Sequence, residues 1–244
     1  MIDACDLLKT ANSKDERLHT DCPLWPYLKL YTYQTEKHLD KIAELTPEDS
    51  KYFINGFLKN LANRLMSIAQ SVLVLERDVF NLSHETFISE KEFESILLQN
   101  PEYLLNILNA YPELRRLLQS LTEKFIAQSV LLARRFTNDF PAIKRLLRIT
   151  GEVHLSECVI SEGEMHNGNA TVCTIVLSGT QKIVYKPRDL LLEDQLTKLM
   201  AWIALQAGTE YKDWQLPKYL CQDGYGWVTY VEHLPASCLS DVRL

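Results

Sequence analysis

The chain has 244 residues, 46% of them hydrophobic, and a formal net charge of -6. That length and hydrophobic content suffice for one large or two small domains with a packed core. The acidic balance gives no reason to expect nucleic acid or an anionic membrane surface as a partner, and no apolar run approaches the length of a membrane span or forms a secretion signal.

The first forty or so residues show no regular helical period. Prolines at positions 23 and 26 predict that residues 22–26 interrupt any helix. Tyr27, Tyr31 and Tyr33 form an aromatic cluster, which we expect to pack in the core and not to serve as a base-stacking platform.

Residues 47–147 predict helix after helix, because apolar residues recur at spacings of three and four from Phe53 onwards. Proline is tolerated in a first helical turn and pushes the preceding residue out of helix, so Pro101 and Pro112 mark two helix starts. The helix from Pro112 is expected to run to about Phe136. Asp139 is then expected to cap a short helix that stops near Gly151.

Basic residues outnumber acidic ones between Pro112 and Arg148. A solvated helical face that pairs with acidic surface elsewhere is the favoured interpretation, and a binding patch is the alternative.

After Gly151 the pattern changes from helices to strands. Strands are predicted over 153–160, 170–177 and 181–186, with a tight link at 178–180. A helix over 190–206, a strand over 214–221, a turn at 222–224 and a strand over 226–231 follow. The fold class is therefore α+β. A helical region, 1–150, precedes an antiparallel sheet with one main helix, 151–244, in the element order of a kinase-like N-lobe.

The cysteines lack Cys-x-x-Cys spacing and nearby histidine spacing, so they indicate neither a zinc site nor a disulfide framework. They are expected to be free thiols of a cytoplasmic protein. The residues are Cys5, Cys22, Cys158, Cys173, Cys221 and Cys238.

Lys186 stands at the end of a short apolar strand and directly before Pro187 and a helix. In protein kinases a lysine in this context, on the third strand, pairs with ATP phosphates and with a carboxylate of the next helix. Glu193 or Asp194 would be such a carboxylate, although both are equally suited to a solvated helix N-terminus. An exposed strand-end lysine without a function is the alternative.

The loop between the first two strands, 161–169, occupies the position of a glycine-rich phosphate cover. Gly163 and Gly168 allow a close backbone approach, or they are simple turn residues. Glu164 would be repelled by phosphates unless a cation or proton intervened, so the loop is more than a phosphate cradle. Proton transfer is a candidate role for it, and His166 is suited to that role near neutral pH.

Two motifs, Glu164-Met165-His166-Asn167 and Val184-Tyr185-Lys186-Pro187-Arg188, together resemble the dehydratase domain of class II lanthipeptide synthetases, the LanM family. The first motif of that family typically has aspartate where this chain has Glu164, and glycine and asparagine are slightly displaced after His166. Residues 111–116, 131–135 and 227–234 resemble the same family. The resemblance covers roughly 53–244.

The resemblance implies an enzyme that phosphorylates serine and threonine of a ribosomal precursor peptide, leader and core, with ATP and Mg²⁺, and then eliminates phosphate. It implies catalytic roles for Glu164, His166 and Lys186. Val231 and Glu232 would form the adenine side of the nucleotide site. The remaining cofactor-binding residues implied are Gly163, Gly168, Lys186 and Arg188. No metal ligand is expected, and no zinc.

The family's catalytic loop and zinc-dependent cyclase domain would follow Leu244, so the sequence predicts an N-terminal part of the dehydratase, truncated before the C-lobe and inactive by itself. The missing remainder of the synthetase is then a candidate partner. A non-catalytic module that binds a precursor peptide or a partner is a second hypothesis. A third is another kinase-like phosphotransferase, which the Glu164 and His166 loop disfavours.

Overall fold

The computed structural model describes residues 22–161, 171–178, 181–207 and 216–232. Helices occupy the first of these ranges up to residue 146. They are α1 (Trp25–Leu39), α2 (Pro47–Ser83), α3 (Glu90–Gln99), α4 (Pro101–Ala110) and α5 (Pro112–Leu146). The sheet and one more helix follow: β1 (Leu155–Ile160), β2 (Cys173–Leu177), β3 (Lys182–Lys186), α6 (Leu191–Ala207), β4 (Tyr219–Gln222) and β5 (Tyr225–Thr229).

Local capping explains where the central helices begin. The Thr46 side chain accepts a hydrogen bond from the Asp49 amide at the start of α2, and Ser89 forms a capping box with Glu92 at the start of α3. Helices α4 and α5 begin at Pro101 and Pro112, so both predicted starts are confirmed.

The first helix corrects a prediction. The segment expected to break any helix instead starts one at Trp25, because Pro26 falls in the first turn, where its missing N–H has no helical partner to lose. Tyr27 and Tyr31 are fully buried, as expected for core packing, but Tyr33 is 51% exposed. The tyrosine cluster is therefore core at two positions only.

Helix α5 corrects a second prediction. It runs without a break from Pro112 to Leu146, with Pro141 inside it, so it does not end near Phe136. Asp139 is a buried residue within this helix and caps nothing. The helix stops where Arg148 adopts a left-handed backbone conformation, with φ of 56°. Tertiary bonds to Asp139, described below, help to hold the proline-containing turn in place.

The strands form one antiparallel sheet in the order β1-β2-β3-β5-β4. The five predicted strands are confirmed. The first three are shorter than predicted, whereas β4 extends to Gln222 and β5 begins at Tyr225. The predicted turn at 222–224 is confined to 223–224, and Gly224 takes a φ of 72° there. The α+β class is thus confirmed, while the likeness to a kinase N-lobe stays a prediction.

The sheet packs one face against helices α2 and α5, and buried side chains from helices and strands form a single cluster. Gly56 of α2 lies so close to β1 that a Cβ there would sit 2.2 Å from the Cys158 carbonyl oxygen. On the α5 side, the rings of Phe136 and Trp227 meet edge to face at a centroid distance of 6.0 Å. The boundary near residue 150 stays a prediction, and one core spans it.

The four cysteines within the described ranges, at positions 22, 158, 173 and 221, are free thiols, as expected. Burial raises the pKa of the Cys22 thiol to about 11. Burial also raises the pKa of the Cys173 thiol well above its ordinary value. Both thiols are therefore protonated near neutral pH.

Candidate functional site

The two faces of strand β3 have different surroundings. Ile183 and Tyr185 point into the core and are buried, whereas Lys182, Val184 and Lys186 alternate with them and are only half-buried. The register places Val176 of β2 beside Lys182 and Val228 of β5 beside Val184. By alternation these positions share one face, which we call the open face of the sheet: Val176, Lys182, Val184, Lys186 and Val228. All but Val228, which is 7% exposed, are half-buried.

Lys186 occupies the end of the open face, directly opposite Gly226 of β5. A side chain at position 226 would collide with Leu190, since its Cβ would lie 2.7 Å from the Leu190 Cδ1 atom. The chain that follows Lys186 therefore folds back over the glycine before α6 begins. The predicted order of strand, lysine, turn and helix is confirmed.

The expected carboxylate partners do not pair with Lys186. Glu193 forms an ion pair with Arg188, and Asp194 pairs with Lys198 one turn along α6 at 2.7 Å. Among the carboxylates that the structure describes, none forms an ion pair with Lys186. The lysine thus presents an ammonium group that these carboxylates leave uncompensated, while Arg188 is engaged at the start of α6.

A pocket of about 580 Å³ opens at the other end of β3. It contains both residues predicted for the adenine side, Val231 and Glu232, together with Lys182 of the open face. The Lys182 ammonium nitrogen lies 4.8 Å from the centroid of the Tyr230 ring, within cation–π distance. Lys186 lies four positions after Lys182 in the strand, which corresponds to about 13 Å along the face.

Four predicted site residues, Gly163, Glu164, His166 and Gly168, lie outside the described residues. The strand ends that flank their loop are described: Ile160 of β1 pairs with Cys173 of β2, which pairs with Tyr185 of β3. Thus β1 ends, and β2 begins, at the end of the sheet where Lys186 lies.

Sequence reasoning missed a buried polar cluster under the sheet. Asp139 of α5 accepts hydrogen bonds from the Gln222 amide at 2.8 Å, the Tyr225 hydroxyl at 2.9 Å and the Trp227 indole N–H at 2.8 Å. A carboxylate buried in this way is stabilised by donors that surround it. Burial, followed by the bond to Asp139, raises the pKa of Tyr225 to about 12.

Arg135, one helical turn before Asp139, belongs to the same cluster. Its guanidinium donates a hydrogen bond to the Tyr185 hydroxyl and lies over the Tyr225 ring, 3.9 Å from its centroid. The interpretation of the basic stretch as a solvated face is therefore wrong for Arg135. The only signal in the sequence was a pair of opposite charges four residues apart in a helix, which is common on solvent-facing surfaces.

Within the described ranges, no group of three or more His, Cys, Asp or Glu side chains is placed to hold a metal ion. No helix in those ranges is long and apolar enough to cross a bilayer.

The fold and the site define an α+β domain whose antiparallel sheet rests on long helices and exposes a lysine on its other face. Residues 111–243 match the model of the family described as "Domain of unknown function (DUF4135)", and the chain belongs to that family. The match begins at the start of α5 and includes every strand, so it covers both the cluster beneath the sheet and Lys186. No curated protein matches the chain.

Proposed function

We propose that this chain supplies the nucleotide-binding part of an ATP-dependent peptide dehydratase of the lanthipeptide synthetase type. The observation that carries the proposal is Lys186, which ends the central strand of an open sheet face and has no ion pair with a described carboxylate. A cation in that position is suited to the phosphates of a nucleotide.

The rest of the open face supports the same ligand. The half-buried Val184, beside the buried Val228, lies between Lys186 and the pocket at Tyr230, Val231 and Glu232. A purine base in the pocket and phosphates at Lys186 would match the distance of about 13 Å between the two ends of the strand. Lys182 at the rim adds a second cation.

The proposed reaction has two steps. A serine or threonine hydroxyl of the precursor peptide attacks the γ-phosphorus of ATP, and the bond to ADP breaks. A base then removes the Cα proton of the phosphorylated residue. The Cβ–O bond breaks, phosphate departs, and a Cα=Cβ double bond forms. His166 and Glu164 are the candidates for proton transfer, because their loop connects β1 to β2, which meet at the end of the sheet where Lys186 lies.

The family match, ATP and Mg²⁺ support this proposal to different extents. The matched family is described only as a domain of unknown function, so the proposal rests on the two sequence motifs and on the position of Lys186. ATP suits the uncompensated lysine at one end of β3 and the pocket at the other, with Lys186 as a phosphate ligand, whereas Arg188 is held by Glu193. Mg²⁺ would neutralise phosphate charge when bound. The described residues contain no group of three or more His, Cys, Asp or Glu side chains placed to hold a metal ion, and no step is derived through it.

Titration of the purified chain with ATP and Mg²⁺ in a calorimeter tests the proposal. The wild-type chain should bind saturably, and Lys186→Met should weaken binding at least about tenfold, since an ion pair with phosphate is lost. Lys59→Met, an exposed lysine of α2, is the matched control. Absence of saturable binding, or equal binding by the wild-type chain and Lys186→Met, would reject the nucleotide site.

A second candidate function is a non-catalytic module that binds a precursor peptide or another partner. The observation that favours it is the outer side of α6, where Leu192 is 81% exposed and Trp202 is 59% exposed. Titration with precursor peptide discriminates between the two functions. A partner module would bind peptide saturably without ATP, and Leu192→Ser with Trp202→Ser would abolish that binding, whereas Lys186→Met would not.

A further inference from the structure

The cluster beneath the sheet is built around the residues that flank Lys186. Lys186 pairs with Gly226, and the neighbours of that glycine, Tyr225 and Trp227, both donate hydrogen bonds to Asp139. One carboxylate thus binds the residues on both sides of Gly226, the position that pairs with the lysine. Gln222, the third donor, ties the preceding strand β4 to the same group.

Arg135 holds the other strand of the pair. It donates to the hydroxyl of Tyr185, the residue directly before Lys186, and the Tyr185 ring packs against Trp227 at a centroid distance of 5.1 Å. Successive strand residues point to opposite faces. The bonds below the sheet are therefore made by the immediate neighbours of the lysine above it.

Above the sheet, no described carboxylate forms an ion pair with Lys186, and its strand partner Gly226 is covered by the apolar side chain of Leu190. The polar bonds to the residues on either side of Lys186 and Gly226 therefore come from below, from α5. Helices position side chains more rigidly than loops do, and a supporting group that keeps a binding residue in place preserves its affinity for the ligand.

We propose that Arg135 and Asp139 of α5 are positioning residues for Lys186, so that the helical region sets the geometry of the nucleotide site through Tyr185, Tyr225 and Trp227. The proposal rests on the proposed function, because it concerns that same lysine. It extends it by making α5 a working part of the nucleotide site, although none of the helix's residues lies on the open face.

Conservative variants test the proposal. Tyr225→Phe removes the hydroxyl that binds Asp139 but keeps the ring under Arg135, and Tyr185→Phe removes the acceptor of Arg135. Each should weaken binding of Mg²⁺-ATP about tenfold, the lower end of the loss that follows when hydrogen-bond support behind metal ligands is removed. Binding is measured by calorimetry at a temperature where every variant is fully folded.

Tyr111→Phe is the matched control. The Tyr111 hydroxyl also donates to a carboxylate, Glu76 at 2.7 Å, but it lies at the start of α5, remote in sequence from the strands that it would have to affect. This variant should lose a similar amount of stability while its ATP affinity stays within about twofold of the wild-type value.

A second readout needs no nucleotide. Limited acylation with acetic anhydride, followed by peptide mass spectrometry, gives the reactivity of the Lys186 amine relative to Lys59 in the same molecule. The ratio should change in Tyr225→Phe and Tyr185→Phe and stay constant in Tyr111→Phe. Amide hydrogen exchange should also quicken in β3 and β5 of the first two variants only.

The outcomes separate the two proposals. If the wild-type chain binds no ATP but the acylation ratio changes as expected, the proposed function fails and the positioning role stands. If the wild-type chain binds ATP and neither affinity nor the acylation ratio responds to Tyr225→Phe or Tyr185→Phe, the nucleotide site stands and the positioning role is wrong. If the Tyr111→Phe control shows the same changes, the effect is general loss of stability and the positioning role is likewise wrong.

Discussion

The lower face of the sheet, which packs against α2 and α5, differs from the open face in the burial and the contacts of its side chains. On the lower face, Ile183, Tyr185 and Trp227 are buried against α2 and α5, and the polar groups there have close partners. On the open face, Lys182, Val184 and Lys186 come from the same strand but remain half-buried. One strand therefore contributes to the core with one set of side chains and leaves the alternate set partly exposed to solvent.

The largest expected effect contrasts neighbouring residues on the two faces. Ile183→Ala should lower the free energy of unfolding by about 3 kcal/mol, because it opens a cavity in a fully buried site. Val184→Ala on the open face should cost about 1 kcal/mol or less. Urea denaturation of both variants measures the difference, and equal losses would show that the two faces are not distinct.

A contact between the layers sharpens the comparison at β1. Gly56→Ala should destabilise the protein by about 2 to 3 kcal/mol, because the new Cβ would overlap the Cys158 carbonyl and force α2 away from the sheet. Gly151→Ala is the control, since nothing lies within 4 Å of its Cβ position. Thermal melts that place the two variants together would contradict the close approach of α2.

The polar cluster should be weaker than the apolar contacts but still measurable. Asp139→Ala leaves three donors, on Gln222, Tyr225 and Trp227, without their acceptor. We expect a loss of about 2 kcal/mol, reduced by any water that enters the space. Asp223→Ala, in the exposed turn between β4 and β5, should change stability by no more than about 0.5 kcal/mol in the same urea titration.

The smallest expected effect is a loss of stability at high pH. Tyr225 has a pKa of about 12 in the folded chain, against 10.0 as its ordinary value. As pH rises above 10, the unfolded chain releases this proton first, so stability that is complete below pH 10 is lost as pH rises towards 12. The difference in unfolding free energy between the wild-type chain and Tyr225→Phe should therefore shrink over that window. A constant difference from pH 8 to 11 would contradict the raised pKa.

Local signals predicted much of the fold. Pro101 and Pro112 marked two helix starts correctly, because proline acts through its own backbone geometry and needs no tertiary partner. Strand order along the chain, the Gly224 turn and the position of Lys186 before a helix were predicted for the same reason. Each depends on the period and turn chemistry of a few consecutive residues.

Other features could not be predicted because distant residues decide them. Asp139 resembles a helix cap in sequence, yet its three partners lie more than eighty residues further along the chain. Arg135 resembles a surface charge until Tyr185 of β3 is placed over it. Glu193 was a candidate partner for Lys186, but in the folded turn it forms its ion pair with Arg188 instead.

The amino-acid sequence by itself determined the order of helices and strands, the alternation that separates the faces of β3, and the position of Lys186 at the end of that strand. These follow from local backbone preference and hydrophobic period. Only the tertiary structure decided which face is covered and that α5 continues past Pro141. It also decided that Arg135 and Asp139 form hydrogen bonds with the neighbours of Lys186 and Gly226. Such contacts depend on the packing of segments far apart in the chain, and a buried polar group is recognised only when its partners are in place.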